Sequence, residues 1–399
     1  MLLIILACLV LLLIGLLEKR KHDQEIDKIP LRINVNGIRG KSTVTRLITG
    51  ILTEANYKTV GKTTGTEARM IYWDRSEKPI VRKPEGANIK EQKFMLQKAS
   101  SKGAEAFVSE CMAINPEYQR ILQQDFLKAN VGVILNVYED HMDIMGPSLD
   151  HVADGFTSTI PYNGKLIVGK GPYYELFTKI AKERNTEVFT ADEDEIPEGF
   201  LQRFSYMVFP ENITIPLAVA KAVGIDKETA LRGMLRANPD PGALRILSLA
   251  QAGKEPSFMI NGFAANDAHS TLSIWDRLKD SAFMKDDTMI IMNCREDRVD
   301  RTKDFCENVL PYLPANKLVL IGRNVYPALK AMEKGLLPYN RVINLEAEDR
   351  EMILETVKRE ANGSTIYGVG NIHGMGELFM EELRKSPDVI ERNVGEEAI

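Results

Sequence analysis

The segment RINVNGIRGKSTVTR, residues 32–46, constrains the fold of this chain more than any other. A short β-branched run leads into Asn36, Gly37 and Gly40, and Lys41 then opens a helical pattern. The order strand, glycine turn, Gly-Lys-Ser and helix is typical of a phosphate-binding loop. In such a loop glycines let backbone N–H groups approach phosphate oxygens, and the helix N-terminus adds partial positive charge. The sequence therefore predicts a nucleotide-binding α/β domain in which these residues bind the cofactor.

Three residues of the loop have separate predicted roles. We expect Lys41 to contact the terminal phosphates of ATP, and the hydroxyl of Ser42 or Thr43 to ligate Mg²⁺. The loop is shorter than the general pattern, because Val35 stands where that pattern has its first glycine. The alternative is an ordinary strand–turn–helix junction with a surface lysine.

Composition is that of a globular protein with room for more than one domain. The chain has 399 residues, of which 44% are hydrophobic and 27% charged, enough for two or three domains. A net charge of −5 does not favour binding to nucleic acid. The four cysteines form no C-x-x-C pair, which fits a reducing compartment and predicts no structural zinc site.

The N-terminus is strongly apolar. Residues 2–17 carry no charge, and Glu-Lys-Arg-Lys follows directly. A helix of this length spans about 24 Å, somewhat short of a hydrocarbon core of about 30 Å. We expect residues 1–17 to be an uncleaved transmembrane anchor and residues 18–30 a juxtamembrane linker, with the bulk of the chain in the cytoplasm. A cleaved signal peptide is the alternative.

From residue 31 onward, short apolar runs alternate with helical patterns, which predicts parallel sheets with helices on both faces. The breaker cluster NPDPGA, residues 238–243, separates an ATP-binding domain (31–240) from a smaller Rossmann-like α/β domain (241–399). Strands are predicted at residues 32–35, 59–63, 106–109, 131–137, 165–168, 187–190, 206–209, 258–260, 289–292, 318–321 and 365–369. Helices are predicted at residues 41–55, 89–101, 117–126, 149–158, 173–184, 212–223, 227–236, 271–279, 305–310, 326–333, 352–360 and 376–384. The acidic tail after residue 387 is expected to fray.

Polar residues follow several of these strands, at the edge where open α/β sheets bind ligands. Glu110 ends one strand and is a candidate Mg²⁺ ligand. His141, next to Asp140, is a second candidate ligand. Thr66 follows another strand, and its hydroxyl is a candidate ligand of a second metal or of a substrate carboxylate. For each of these residues, an ordinary polar turn is the alternative.

The second domain has comparable loops after its strands. Asn266 is a candidate for reading adenine or for lining the cleft between the domains, and Asp297 is assigned to cofactor binding. Arg295 and Arg298 are candidates for binding a carboxylate or a phosphoryl group across the cleft between the domains. Local salt bridges in polar loops are the alternative.

In this order the segments resemble the Mur ligase superfamily, which includes folylpolyglutamate synthases. The loop at 36–42, Glu110, the Asn…Asp-His segment at 136–141 and GFAAND at 262–267 match the superfamily's motifs. NGIRGKSTVTR, KTTGTEARMIYWD, EDHMD, TIPYNG and NCREDRVDRT are similar to one branch, the ligase subunit of bacterial poly-γ-glutamate synthases. The chain departs from the superfamily at residues 156–160, FTSTI, where many members have a carbamylated lysine.

The resemblance implies an ADP-forming amide ligase that polymerises glutamate through γ-linkages by way of an acyl phosphate. ATP and Mg²⁺ are the implied cofactors. Glutamate, the growing chain and further membrane subunits are the implied partners. Catalysis is expected to use Lys41, Glu110, His141, Arg295 and Arg298, with domain closure completing the site. Rival interpretations are a folylpolyglutamate-type or other Mur ligase, and a nucleotide-driven polymer-export ATPase. The oligomeric state, including a homo-oligomer, is left open.

Overall fold

A computed structural model describes residues 2–64, 68–82, 88–240, 243–250, 253, 255–265, 267–279 and 281–392. The chain forms two compact units. The first is Met1–Glu198 with Val208–Pro241, and the second is Gly199–Met207 with Gly242–Ile399. Each unit contains a mainly parallel β-sheet packed against helices, so the predicted α/β class is confirmed.

The sheet of the first unit gathers strands that are far apart in the sequence. Its strands are β1 (Leu31–Asn36), β2 (Thr59–Lys62), β3 (Arg69–Tyr72), β4 (Glu77–Pro79), β5 (Ala106–Glu110), β6 (Val131–Ile134), β7 (Lys165–Gly169) and β8 (Glu187–Ala191). The strand order is β4-β3-β2-β5-β1-β6-β7-β8. The pairs from β2 to β8 are parallel, whereas β3 and β4 add an antiparallel hairpin at one edge. The carboxyl ends of β1, β2, β5 and β6 therefore meet at one edge of the sheet.

Helices cover this sheet through apolar faces. They are α1 (Leu2–Asp27), α2 (Lys41–Glu54), α3 (Lys90–Ser101), α4 (Pro116–Ile121), α5 (Met142–Met145), α6 (Leu149–Thr157), α7 (Tyr174–Glu183), α8 (Pro210–Ala222) and α9 (Lys227–Leu235). A π-helical segment, Leu122–Leu127, continues α4, and Glu193–Glu195 is a 3₁₀ turn. Val44, Ile48 and Leu52 recur every four residues on α2 and are fully buried. That spacing places them on one face, which packs in the core with β1 and α8 and fixes where α2 begins.

The second unit repeats this plan on a smaller scale. Its strands are β9 (Ile246–Leu249), β10 (Ser257–Ile260), β11 (Asp287–Cys294), β12 (Lys317–Gly322), β13 (Arg341–Glu346), β14 (Ser364–Gly370) and β15 (Val389–Arg392), in the order β13-β12-β11-β14-β10-β9-β15. Its helices are α10 (Ala268–Leu278), α11 (Val299–Asn308), α12 (Tyr326–Glu333), α13 (Arg350–Glu360) and α14 (Met375–Lys385), with 3₁₀ turns at Leu201–Arg203 and Leu310–Tyr312. Strands β10 to β14 are mutually parallel, and β9 is antiparallel to both β10 and β15. The predicted Rossmann-like character is thus present.

Helix α1 continues beyond the apolar residues into the first unit. Its most apolar 18-residue window has a mean hydropathy of 2.7 and is not buried, so the helix is long and apolar enough to cross a membrane. Residues 18–27, which we call the foot of α1, pack against α3 and the π-helical segment. Within the foot, Ile26 is 1% exposed in a core cluster with Leu96 and Phe107, and His22 Nε2 lies 2.9 Å from the carbonyl oxygen of Phe126. The sequence treats these residues as a linker, whereas the structure has a docked helix.

Two other local predictions are wrong. Residues 206–209 form no strand, because Phe204 and Tyr206 pack edge to face in an aromatic cluster and Phe209 caps the start of α8. The tail does not simply fray after residue 387, since β15 pairs with β9. Residues 393–399 lie outside the described residues.

Candidate active site

The glycine loop joins β1 to α2 with two glycines in backbone conformations that other residues rarely adopt. Gly37 has φ 133° and Gly40 has φ 83°. A Cβ atom at Gly37 would lie 2.9 Å from Leu135 Cβ, and one at Gly40 would lie 2.7 Å from Asn212 Nδ2. Because a helix leaves its first N–H groups without partners inside the helix, the start of α2 presents donors suited to an anion. The loop therefore has the shape and polarity of a phosphate cradle.

Two asparagines hold this loop in place. Asn136, at the carboxyl end of β6, accepts hydrogen bonds from the N–H groups of Ile38 (3.1 Å) and Arg39 (2.9 Å) and donates to the Arg39 carbonyl. Asn36 is 2% exposed; its Oδ1 accepts from the Gly37 N–H, and its Nδ2 donates to Gln119. The structure thus makes Asn36 a support of the loop. Sequence reasoning singled out Asn136 only as part of a motif and missed Gln119, for which no local pattern gives a signal.

Lys41 lies folded back over the loop. Its Nζ donates to the carbonyl oxygens of Gly37 (2.7 Å) and Ile38 (3.0 Å). Burial lowers the pKa of Lys41, and the nearby Glu110 carboxylate opposes that shift. An ammonium group that neutral carbonyls hold beside the loop is well placed to bind an anionic phosphate.

The Glu110 carboxylate lies beside the first turn of α2. It is 3% exposed, and its Oε2 accepts hydrogen bonds from the Ser42 hydroxyl (2.8 Å) and the Thr64 N–H (2.8 Å). A carboxylate and a hydroxyl in contact next to a phosphate cradle are the oxygen ligands with which Mg²⁺ is held in nucleotide sites, so these residues fit such an ion. Thr43 lies one residue further along α2 and is partly exposed. Thr66 lies outside the described residues.

His141 is placed differently from the Glu110 cluster. It is half exposed in a left-handed backbone conformation, φ 48°, just before α5. Its Nε2 lies 3.7 Å from Asp140 Oδ1, and Asp140 Oδ2 lies 3.4 Å from Arg39 Nη1. Within the described residues, no three His, Cys, Asp or Glu side chains come together as a possible metal site. A direct protein cage around a metal is therefore not assembled there.

The predicted loop of the second unit follows β11. Arg295 forms a bidentate ion pair with Asp297 (2.9 and 2.7 Å), and Arg298 is exposed at the start of α11. Asn293 and Asn371, which the sequence analysis did not single out, join the carboxyl ends of β11 and β14, because each donates to a main-chain carbonyl of the other. Asn266 lies outside the described residues. Asp297 is therefore paired with Arg295, whereas the Arg298 side chain is exposed to solvent.

Two of the larger cavities among the described residues adjoin the first sheet. One of about 350 Å³ lies at the carboxyl ends of β6, β7 and β8 and is lined in part by Asn136, Tyr138 and Tyr174. Another of about 910 Å³ lies at the opposite edge, around Asn130 and Lys165, and contains none of the predicted site residues. None of the predicted site residues lines the smaller cavity either, but Asn136, which does line it, hydrogen-bonds to the glycine loop. The volume of this cavity is that of a small-ligand site.

Comparisons with known proteins assign this chain to a family. Residues 35–221 match the Mur ligase middle domain, and residues 246–386 match the poly-gamma-glutamate synthase CapB C-terminal domain. E. coli FolC in complex with ADP shares the fold at a TM-score of 0.63 and 14% identity, covering 92% of this chain and 93% of that one. MurF from Acinetobacter baumannii does so at 0.61 and 16%, covering 92% and 79%. The two family models and the shared fold therefore define a Mur-type ligase, a class of ATP-dependent amide ligases.

Two curated relatives narrow this assignment. The chain is 56% identical over 384 residues to the PGA synthase CapB of Bacillus subtilis (strain 168), covering 96% of this chain and 98% of that protein. It is 52% identical over 388 residues to the capsule biosynthesis protein CapB of Bacillus anthracis, covering 96% and 83%. The chain belongs to the poly-gamma-glutamate synthase CapB family. The predicted membership is confirmed, and it is favoured over the folate-type and export-ATPase alternatives.

Proposed function

We propose that this chain uses Mg²⁺-ATP to add glutamate to a γ-linked glutamate chain at the cytoplasmic face of a membrane. One observation carries the proposal. In a chain 56% identical to a protein named PGA synthase, Glu110 contacts both Ser42 and the Thr64 N–H beside a loop that holds Lys41. This arrangement has the parts needed to hold a nucleotide phosphate with a metal ion.

The energetic problem is that a carboxylate and an amine do not condense in water without activation. The terminal carboxylate of the glutamate chain attacks the γ-phosphorus of ATP, so a C–O–P bond forms and the bond to ADP breaks. The amine of incoming glutamate then attacks the acyl carbon, phosphate leaves, and the amine proton passes to solvent. Positioning and charge neutralisation dominate such phosphoryl transfer.

The residues of the first unit divide this work. Lys41 and the N–H groups at the start of α2 neutralise the phosphates, while Asn136 and Asn36 keep the loop in shape. Ser42 and Glu110 would hold Mg²⁺, which when bound would supply Lewis-acid stabilisation of the phosphoryl oxygens. His141 is the further metal residue that the resemblance implies; it lies beside Asp140, which pairs with Arg39 of the same loop.

In the second unit, Arg298 binds a carboxylate of the incoming glutamate. An exposed guanidinium suits this role because it binds a carboxylate through two hydrogen bonds in one plane. Arg295 binds the same carboxylate once the substrate replaces Asp297 as the partner of its guanidinium. Asn266 and Asp297 are proposed to contribute to nucleotide binding.

Helix α1 is proposed as a single-pass anchor with the catalytic units in the cytoplasm. Its apolar residues are exposed along the helix, and basic residues follow them, which is the arrangement that keeps a C-terminal domain cytoplasmic. A polyanionic product made at a membrane needs a route through it, so we propose further membrane subunits as partners.

The test measures ADP release by membranes that contain the full chain, supplied with Mg²⁺-ATP, glutamate and a γ-linked oligoglutamate acceptor. Gel analysis follows the acceptor's length in the same samples. Lys41→Ala is compared with Lys179→Ala, which removes an exposed lysine on α7. We expect glutamate-dependent ADP release with chain growth, abolished by Lys41→Ala and unchanged by Lys179→Ala.

Three other outcomes would contradict the proposal. Chain growth by the Lys41→Ala protein would remove the loop from the mechanism. ATP turnover that is indifferent to glutamate, with no growth, would indicate a transport ATPase. Growth only on a folate acceptor would indicate a folate-type ligase.

A further inference from the structure

The first turn of α3 grips the end of β5 through a buried amide. Gln92 is 2% exposed. Its Nε2 donates to the main-chain oxygen of Glu110 (2.8 Å), and its Oε1 accepts from the Ser109 hydroxyl (2.7 Å). Both polar ends of one side chain therefore bind the last two residues of the strand that carries Glu110.

The preceding residue on α3 grips the neighbouring strand β2. Glu91 pairs with Lys62 (2.7 Å), which is 0% exposed, and with Arg82 (2.8 Å). Arg82 also donates to the carbonyl oxygen of Thr64 (3.1 Å). Burial favours the neutral acid, but hydrogen bonds and charge from Arg82 and Lys62 outweigh it and hold the pKa of Glu91 below its usual value.

The contacts of Gln92 and Glu91 both lead to the carboxylate of Glu110. The Thr64 N–H donates to Glu110 Oε2, so α3 acts on Glu110 directly through its main chain and again through Thr64. Strands β2 and β5 are adjacent, with Lys62 opposite Ser109. Two consecutive residues of α3, Glu91 and Gln92, can therefore contact both strands. A carboxylate fixed in this way is already oriented before a cation arrives.

We propose that Gln92 is a positioning residue for the metal site, which acts by fixing the orientation of Glu110. The inference rests on the proposed function, because it takes Glu110 as a ligand of Mg²⁺. Residues that orient a metal ligand typically change metal affinity by about tenfold or more when they are removed. A buried amide that merely fills the core would change stability instead.

The chain offers a matched control for this distinction. Gln123, in the π-helical segment, is 5% exposed; it donates to the Ala129 carbonyl (2.9 Å) and accepts from Asn34 (3.1 Å). It thus has the same chemistry as Gln92 and is similarly buried, but its partners are on β1 and just before β6 rather than on β5, the strand that carries Glu110. Gln92→Leu and Gln123→Leu each remove two buried hydrogen bonds.

The experiment is calorimetric titration of the full chain in detergent with ADP, once with Mg²⁺ and once with EDTA. The ratio of the two dissociation constants gives the gain in ADP affinity due to the metal. We expect Gln92→Leu to reduce this gain by about tenfold and to leave ADP binding in EDTA unchanged. Gln123→Leu is expected to leave both values unchanged, while both substitutions lower the unfolding temperature.

Glu110→Gln separates failure of this inference from failure of the proposed function. If Glu110→Gln keeps the full gain from Mg²⁺, the metal assignment itself is wrong. If Glu110→Gln loses the gain and Gln92→Leu keeps it, only the positioning role is wrong. Should Gln92→Leu fail to fold, Gln92→Glu keeps the acceptor for Ser109 but loses the donor to Glu110. Gln92→Glu is also expected to reduce the gain in ADP affinity due to the metal, and an unchanged gain would overturn the inference.

Discussion

The hydroxyl of Ser42 donates a 2.8 Å hydrogen bond to Glu110 Oε2 across 68 residues of sequence. The two residues meet because β1 and β5 are adjacent parallel strands with Val35 opposite Glu110, so the helix after β1 starts beside the end of β5. The sequence left Ser42 and Thr43 as equal candidates for the metal ligand. The contact with Glu110 favours Ser42.

Replacing Ser42 by Ala is expected to weaken Mg²⁺-dependent ADP binding by about tenfold and to lower the free energy of unfolding by about 1 kcal/mol through the lost hydrogen bond. Ser42→Thr, which keeps the hydroxyl, is expected to retain most of the metal effect. Calorimetric titration with ADP, with and without Mg²⁺, measures the metal effect in both variants, and denaturation measures the free energy of unfolding. A larger loss with Thr43→Val than with Ser42→Ala would reverse the assignment.

Gly40→Ala is expected to abolish nucleotide binding and to destabilise the first unit by more than backbone strain alone. The left-handed conformation costs a non-glycine residue about 1–2 kcal/mol, and the new Cβ would also lie 2.7 Å from Asn212 Nδ2. Gly103 is the control, because it has a similar φ of 76° with nothing within 4 Å of a Cβ. Denaturation curves should show Gly103→Ala losing only the strain energy. Equal losses for the two variants would show that Asn212 gives way freely.

The stability of the first unit should fall in acid through Glu91. Its pKa is lowered in the folded state, so its contribution is present above the unfolded value of about 4.3 and is lost as pH falls through the folded value. Glu91→Gln should flatten this acid slope. At neutral pH it should also cost about 3 kcal/mol, because Lys62 stays buried without its carboxylate.

Denaturation at a series of pH values measures both effects. Glu117→Gln, which removes the exposed partner of Arg120, serves as control and should change neither quantity by much. An unaltered acid slope in Glu91→Gln would place the sensitivity elsewhere.

Ile26→Ala is expected to lower the free energy of unfolding of the first unit by about 3 kcal/mol, the usual cost of such a cavity in a core. Ile14→Ala, at a position on the same helix that is 55% exposed, is expected to have no measurable effect. Urea denaturation in detergent compares the two. Similar midpoints for both variants would show that the foot of α1 is not part of the folded unit.

Local sequence patterns were sufficient for the glycine loop, for Glu110 at a strand end and for most alternating strands and helices. Each depends on residues that are neighbours in the chain: glycines before a lysine, or apolar runs of fixed period. The short antiparallel strands β3, β4, β9 and β15 were missed, as was the parallel edge strand β13, because strands this short carry little periodic signal. Strand β15 also depends on pairing with β9, which lies far away in the sequence.

The supports of the site could not be found in this way. Gln92, Gln119 and Lys62 are ordinary polar residues in the sequence, and their roles arise from contacts that long-range packing creates. The foot of α1 shows the same limit in reverse. Its charged residues read as a solvated linker, but Lys93, Ser100 and Lys128 supply partners for Glu18, Glu25 and Asp23, so the helix continues to Asp27.

Because α1 is one continuous helix from Leu2 to Asp27, its apolar residues are rigidly connected to the foot. A flexible tether would let the first unit turn freely relative to residues 2–17, whereas a helix docked through Ile26 and His22 holds residues 2–17 in a set direction relative to that unit. The residues before the foot extend about 24 Å at 1.5 Å per residue. A protein that binds the exposed apolar end of α1 would thereby fix the orientation of the glycine loop and Glu110.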